Sequence, residues 1–502
     1  MTSTIETPKG SLLFEAFMRG YALNRGGFAL QTNQQTLTYV DLYKRALEVS
    51  ETIAPYVGAG PVGVLCEEGR FDVIAMLALS SLALPIVPVS TDDPANLVEQ
   101  RLRLASVTHI LVETPTPWSA SLPTVAGTDE WTLVSMRSRC DLAQEATELV
   151  PLPDAQRVDR DTAYVLFTSG TTGRAKGVPV MNTSLHSFCS WMLTRYSLTT
   201  SERVIKLHRW SFDMAFMEAI VAFNFGATLC LTPLDSAGTI AKHLSRISPS
   251  WILITPSLGR ALAEYFERRP SSLWTELRYL LFGGEALDTT LAMRLRNLFP
   301  SAQLENYYGP TEAAIAVCAY SLPQDTAVEG ATVPLGLPQG DTQFRILSQD
   351  GDPRRGELLL AGPQIFRGYL GSEENGCFLY QDEKLWYRTG DIVLMGPAGL
   401  QFVGRTDRQL KIRGQRVSLE AIESLVRSHP GVCEATAVVT SGRRGTAIEV
   451  VFSGPAAMDS IREHLISNLP ASLTNLQIRH AELMLGPTGK VRMPSGNGKS
   501  DA

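Results

Sequence analysis

From about residue 36 to residue 320 the sequence alternates short β-branched runs with helix-period segments, and this alternation limits the folds open to the chain. An apolar run at 62–66 is followed by a helical pattern over 73–84 and a second apolar run at 86–89, and the order recurs at 251–255, 258–266 and 280–282. A strand that returns parallel to its predecessor needs a crossover long enough for a helix, so repeated strand–helix–strand units predict mostly parallel sheet. From about residue 331 to 403 the pattern changes to short alternating strands between Gly and Pro turns, as in "GELLLAG" (356–362) and "GLQFVG" (399–404), which predicts a β-rich subdomain. After Arg405 the chain restarts with a helix over 418–429, strands over 435–439 and 448–452 and a helix over 457–468, a small α+β unit with its own core. The 502 residues exceed the roughly 250–300 at which one core stops growing. The expected fold class is therefore α/β: a large N-terminal domain of βαβ subdomains plus a β-rich subdomain over residues 1–405, then a small α+β C-terminal domain over 406–502.

Composition narrows the partners. With 45 Lys+Arg against 51 Asp+Glu, the formal net charge of −6 indicates neither a basic nucleic-acid surface nor a polyacidic tail. The longest apolar run, 73–89, is broken by Ser80, Ser81, Pro85 and Pro88, and a span needs about 20 predominantly apolar residues, so no membrane partner is expected. The first apolar stretch, 11–17, contains Glu15 and follows no basic region, so no targeting signal stands out and a cytoplasmic location is expected. The seven cysteines are dispersed, odd in number and without a CxxC pair, which fits a reducing compartment.

Residues 164–180, "YVLFTSGTTGRAKGVPV", carry the chemistry: an apolar strand, a run of hydroxyls and glycines holding two cations, then another apolar strand. Gly170, Gly173 and Gly177 let the backbone approach an anion, Thr168, Ser169, Thr171 and Thr172 supply hydroxyls, and Lys176 supplies a point charge. The string is not a Walker A loop, because Lys176 lies between Ala175 and Gly177 rather than between Gly and Ser or Thr.

Taken with "LTYVDL" (37–42), "LALPIVPVSTDDP" (82–94), "SFDMAF" (211–216), "NYYGPTE" (306–312), "GELLLAGPQIFRGYLG" (356–371), "YRTGD" (387–391) and "GRTDRQLKIRGQRVSLEAIE" (404–423), this segment resembles the adenylate-forming superfamily. That superfamily includes acyl-CoA synthetases, luciferases and the adenylation domains of nonribosomal peptide synthetases. The chain is most similar to a stand-alone adenylation domain, although Ala175 replaces the usual Pro. The resemblance implies that a carboxylate is activated with Mg-ATP, pyrophosphate leaves, and the acyl-AMP is passed to a thiol. Tyr308 would then stack on adenine, with Gly283, Gly284, Glu285 and Ala286 lining its pocket. Thr311 would reach the α-phosphate, Glu312 would hold Mg²⁺, Asp391 would accept the ribose hydroxyls, and Arg405 would contact phosphate or ribose. The late-arriving catalytic cation would be Lys490 in "LGPTGKV", with Lys499 as the other candidate, and Asp407 would be the hinge of a mobile C-terminal domain.

The segment "LHRWSFDMAF" bears on the acid. Aligned with amino-acid activators, Asp213 would pair with a substrate α-ammonium, since a buried carboxylate is costly without a partner; its alternative role is an N-cap for the helix starting at Met214. The matching pocket positions are Met214, Met217, Ile254, Leu281, Gly283, Tyr307, Ile315 and Ala316, which favour a small or medium uncharged side chain, and His208 would gate the carboxylate. No "GGxS" carrier motif follows, so the acceptor is expected to be the phosphopantetheine of a separate peptidyl or acyl carrier protein, and a small helper protein is a further partner left open. The competing readings are an acyl- or aryl-CoA ligase and, from another class, a non-catalytic adenylate-binding module.

Overall fold

The computed structural model describes residues 11–113, 132–135, 158–169, 175–233, 236–270, 274–324, 330–348, 351–371, 375–412, 415–442, 445–470, 473, 476–481, 484–485 and 491–492. Two sheets dominate. One has eight strands, in which Phe28–Gln31, Thr228–Leu231, Arg203–Lys206, Trp251–Ile254, Tyr279–Phe282 and Gln303–Tyr308 run parallel and an antiparallel strand closes each edge. The other has six strands, parallel except where Thr162–Ser169 pairs antiparallel with Ala175–Met181. The strand–helix alternation thus produces mostly parallel sheet, with antiparallel pairing confined to edges.

The main core lies between these sheets and is filled by helices apolar on nearly every side. Helix Arg70–Ser81 is buried from Phe71 to Ser80, and helix Asp213–Asn224 from Asp213 to Phe223. A helix covered by sheet on two sides has no solvent face to make polar, and so its pattern loses the amphipathic stripe. The first of these helices starts three residues before the predicted position, at Arg70, because Asp72 accepts the Gly69 N–H at 3.1 Å and closes the helix's first turn.

The β-rich part is a five-stranded antiparallel sheet that includes Arg355–Ala361, Lys384–Gly396 and Gly399–Arg405. Beyond it, helices Leu419–Arg427 and Met458–Ile466 pack on a three-stranded sheet of Glu434–Gly442, Gly445–Ser453 and Gln477–His480, around a separate core with Val417, Ile422, Val450 and Leu465. Ser418 caps the first helix by accepting the Ala421 N–H. The whole is α/β, with a large N-terminal part and a smaller α+β C-terminal part.

Candidate active site

Parallel sheets leave their loops at the carboxyl ends of the strands, and ligands collect in the crevice outside those ends. Here a cavity of about 640 Å³ lies outside strands Thr162–Ser169, Trp251–Ile254, Tyr279–Phe282 and Gln303–Tyr308. Its inner end is walled by Asp213, Met214, Met217, Gly283, Tyr307, Ile315 and Ala316, so seven of the predicted pocket positions converge. Ile254 and Leu281 do not line it. Side chains alternate along a strand, and it is Leu253 that faces the cavity, while Ile254 packs on the opposite face beside Phe282. Leu281 shares the face of Leu253 but stays within the core.

Asp213 is 8% exposed. Helix Asp213–Asn224 takes Phe212 as its N-cap, without a side-chain cap bond, so Asp213 is the first helical residue and not the cap. A carboxylate in a helix's first turn is favoured by the partial positive charge there. The Tyr164 phenol is pushed well above its ordinary pKa by burial and then by Asp213. Tyr307 is fixed by a 2.6 Å hydroxyl–hydroxyl bond to Tyr196 and by stacking near Trp191. Ala314 and Ile315 both have positive φ, 49° and 75°, and this turn presents Ile315 and Ala316 to the cavity. A β-branched residue is strained in that region, so the surrounding packing has to impose it. Gly309 permits the same close turn, since a Cβ there would lie 2.4 Å from the Ala316 Cα.

A polar stretch of the wall combines Thr168, Thr311 and Glu312. Glu312 is buried, and its Oε1 accepts the Tyr369 hydroxyl at 2.7 Å. The Lys176 ammonium lies 4.9 Å from the centre of the Tyr369 ring. Tyr369 arrives there because Leu370 pairs with Gly177, its N–H donating to the Gly177 carbonyl at 2.8 Å. Gly170, Thr171 and Thr172 lie outside the described residues, as do the side chain of Ser169 and both Lys490 and Lys499.

Tyr308, Asp391 and Arg405 form a second cluster, outside the lining of this cavity. The Tyr308 hydroxyl donates to Asp391 Oδ2 at 2.6 Å and Arg405 pairs with Asp391 Oδ1. Burial and then Asp391 push the Tyr308 phenol well above its ordinary pKa, so it remains a donor. The Arg405 fork also grips Asp407, at 2.8 and 3.1 Å. Gly284, at φ 81°, lines the cavity with Gly283, whereas Glu285 caps the helix starting at Pro256 by accepting the Ser257 N–H at 2.9 Å, and neither it nor Ala286 reaches the lining. His208 also lies outside the lining: its Nδ1 donates to Glu218 Oε1 at 2.7 Å.

Several cavity residues had no counterpart in the sequence reading. Phe212, Leu253 and Pro310 line it, and its outer end runs between helix Ala95–Leu104 and the C-terminal part, where Ala421, Leu425 and Leu469 face it. An Asn96–Asn468 bond at 3.3 Å spans that opening. Contacts between segments so far apart in sequence carry no local pattern, but the two acidic residues in an otherwise apolar helix, Asp213 and Glu218, were a visible signal.

Residues 21–370 match the family described as AMP-binding enzyme. The chain belongs to this family. It is an AMP-forming ligase of the adenylate-forming superfamily, as its motif order implied. This AMP-binding enzyme is 27% identical to a D-alanine--D-alanyl carrier protein ligase of Bacillus licheniformis, over 92% of this chain and 94% of the relative. It is 30% identical to an isonitrile lipopeptide synthase of Streptomyces coeruleorubidus over 90% of its own length, but spans only 31% of that relative. Its fold matches that of an NRPS protein containing adenylation and PCP domains with a TM-score of 0.79 at 24% identity, covering 97% of this chain and 84% of that one.

Proposed function

We propose that the enzyme activates a small or medium uncharged amino acid as aminoacyl-AMP and then transfers it to the phosphopantetheine thiol of a separate carrier protein. The observation that carries this reading is Asp213: a carboxylate held on the first turn of a buried helix, at the end of a cavity otherwise walled by Met214, Met217, Leu253, Tyr307, Ile315 and Ala316. A carboxylate that lines a cavity from the first turn of a buried helix can receive a cationic ligand by a charge-assisted hydrogen bond, and the α-ammonium of an amino acid is one. The similarity to a carrier-protein ligase over nearly the full length of both chains supports the acceptor.

In this reading the amino acid lies with its ammonium against Asp213 and its carboxylate toward Thr311, close to the phosphate-facing wall. ATP is the co-substrate. Its phosphates are bound by the Gly, Thr and Ser residues of 168–173, with Lys176 as a neighbouring cation, and its ribose is held by Asp391, from which Arg405 must withdraw. Among the described residues no group of three or more His, Cys, Asp or Glu side chains could hold a metal. One buried carboxylate, Glu312, fits Mg²⁺, which is commonly bound by one or two carboxylates together with substrate phosphates. When bound, Mg²⁺ supplies positive charge to the phosphates. Negative charge grows on the α-phosphate during attack, so Thr311 and the late-arriving Lys490 act chiefly on the transition state.

We place the domain boundary at 405/406 and the hinge at Asp407, because the strand Gly399–Arg405 ends there and the Arg405 fork holds Asp407. The outer end of the cavity, between helix Ala95–Leu104 and Leu425, gives the acceptor arm its approach. No described helix is long and apolar enough to cross a membrane.

The test is exchange of labelled pyrophosphate into ATP over amino, aryl and aliphatic acids, followed by mass measurement of a phosphopantetheinylated carrier and of coenzyme A after incubation with the best acid. Exchange with one uncharged amino acid and a mass increase on the carrier are expected. Exchange only with acids lacking an amino group, and acylation of coenzyme A, would make the enzyme a CoA ligase. Nucleotide binding without any exchange would leave only an adenylate-binding module. Lys490→Ala is expected to slow exchange by about 10²–10³; truncation after Arg492 retains Lys490 and is expected to leave exchange intact, whereas lost exchange would transfer the role to Lys499.

A further inference from the structure

The loop between strand Arg203–Lys206 and helix Asp213–Asn224 delivers Ser211, Phe212 and Asp213 to the cavity wall. Its backbone is held from both sides by charged groups that take no part in the chemistry described above, Glu218 and Lys206 buried and Glu68 half-buried. Glu218, fully buried, reaches back from the helix that Asp213 begins. Its Oε2 accepts the N–H groups of Leu207 and His208 at 3.2 and 3.3 Å, and its Oε1 accepts from His208 Nδ1 at 2.7 Å. From the bend that follows strand Val62–Cys66, Glu68 accepts the Trp210 N–H at 3.2 Å through Oε1 and pairs with Lys206 Nζ at 2.6 Å through Oε2. Lys206 Nζ donates as well to the His208 carbonyl at 2.5 Å and lies 4.9 Å from the centre of the Trp210 ring.

Buried charges are expensive, and well-packed apolar side chains at these positions would often be as stable. What the charges add is definition: each carboxylate accepts from at least two donors, and together they fix Lys206, Leu207, His208 and Trp210, just before Phe212 and Asp213. Glu68 stands at φ 59°, a conformation that costs a non-glycine residue energy and persists where surrounding contacts impose it.

We propose that Glu218 and Glu68 are positioning residues for the amino-acid pocket, locking the 207–212 loop through His208 and Lys206 so that Phe212 and Asp213 keep fixed places against the substrate. The inference rests on the reading of Asp213 given above. His208 acts in it as a donor through Nδ1, not as a gate that needs an aromatic ring. Its effect falls on the acid half of the reaction, because the loop touches the acid's pocket and not the Lys176–Tyr369–Glu312 wall.

The experiment titrates the amino acid and ATP separately in the pyrophosphate exchange assay for wild type, Glu218→Gln, Glu68→Gln, His208→Leu and His208→Asn, with thermal melts alongside. Misplacement of a positioning element by 1 Å can cost about 10²-fold, and so Glu218→Gln, Glu68→Gln and His208→Leu are expected to raise the amino-acid KM about tenfold or more while the ATP KM stays within about twofold. His208→Asn, whose side-chain amide can donate from near the place of Nδ1, is expected to recover most of the loss. Variants that melt lower but keep both KM values would show a merely structural frame and overturn the proposal. So would His208→Asn behaving like His208→Leu, which would return the role to the ring. Should Glu218→Gln fail to fold, Glu68→Gln and the His208 pair decide on the same criteria. If wild type exchanges only with acids lacking an amino group, the Asp213 reading fails, and the same KM split measured with the active acid still tests the frame: an unchanged KM overturns it.

Discussion

The two ends of the cleft are built on different principles. The acid end is apolar apart from Asp213, and its walls are held by buried helix, strand and tyrosine contacts. The wall around Glu312, and the Tyr308 cluster outside the cavity lining, are made of charges that already engage one another, with Glu312 bonded to Tyr369, Lys176 over the same ring, and Asp391 shared by Tyr308 and Arg405. A rigid apolar wall discriminates by shape and does not rearrange. Interlinked charges can exchange partners, which suits a region that must take in a polyanion and lies where the larger and smaller parts of the chain meet. On the proposed reading, selection of the acid and chemistry at the phosphates are thereby separated.

That separation is open to attack by mutation, beginning where the effect is largest. Glu312→Gln is expected to lower the exchange kcat by about 10²–10³ for every acid that the enzyme accepts, since it removes charge facing the phosphates; steady-state exchange over several acids checks this, and a loss confined to one acid would contradict it. Gly283→Ala acts at the other end. A Cβ there would meet Met214 Sδ at 3.4 Å and Leu253 Cδ1 at 3.6 Å, ordinary contact distances, so the pocket loses volume without strain. One methylene in an apolar pocket is worth about 10–200-fold, so preference should move toward a smaller acid by about tenfold, visible as a changed ratio of kcat/KM between two homologous acids with the ATP KM unchanged. Tyr308→Phe has the smallest effect on selection. Loss of its hydrogen bond to the buried Asp391 carboxylate is expected to cost about 1.5–3 kcal/mol of stability, read by urea denaturation, with no change in acid preference.

Sequence alone carried the strand–helix alternation and the family, and it brought Asp213, Thr168, Thr311 and Glu312 to one cavity, because each lies in a local pattern whose spacing is set by backbone geometry. It missed by one residue at Ile254, where Leu253 faces the cavity; in a strand buried on both faces every residue is apolar, so the alternation that would reveal the inward side is absent. It expected His208 to gate the carboxylate, whereas Glu218, ten residues later, accepts from its ring. The N-cap alternative for Asp213 failed by one position, with the helix beginning on Asp213 itself. Tyr369 and the helix face around Leu425 were beyond sequence reading, since a strand-to-strand bridge and the docking of the C-terminal part bring them in from elsewhere in the chain.

The most direct test compares one amino acid with its des-amino analogue, a carboxylic acid of the same side chain, in wild type and in Asp213→Ala, by pyrophosphate exchange. Losing one side of a buried charge pair costs about 2–5 kcal/mol, so wild type should favour the amino acid by about 10²-fold or more in kcat/KM, and Asp213→Ala should abolish most of that preference while the des-amino acid is used about as well as before. Equal loss for both acids in the mutant, or a wild type indifferent to the amino group, would contradict the account.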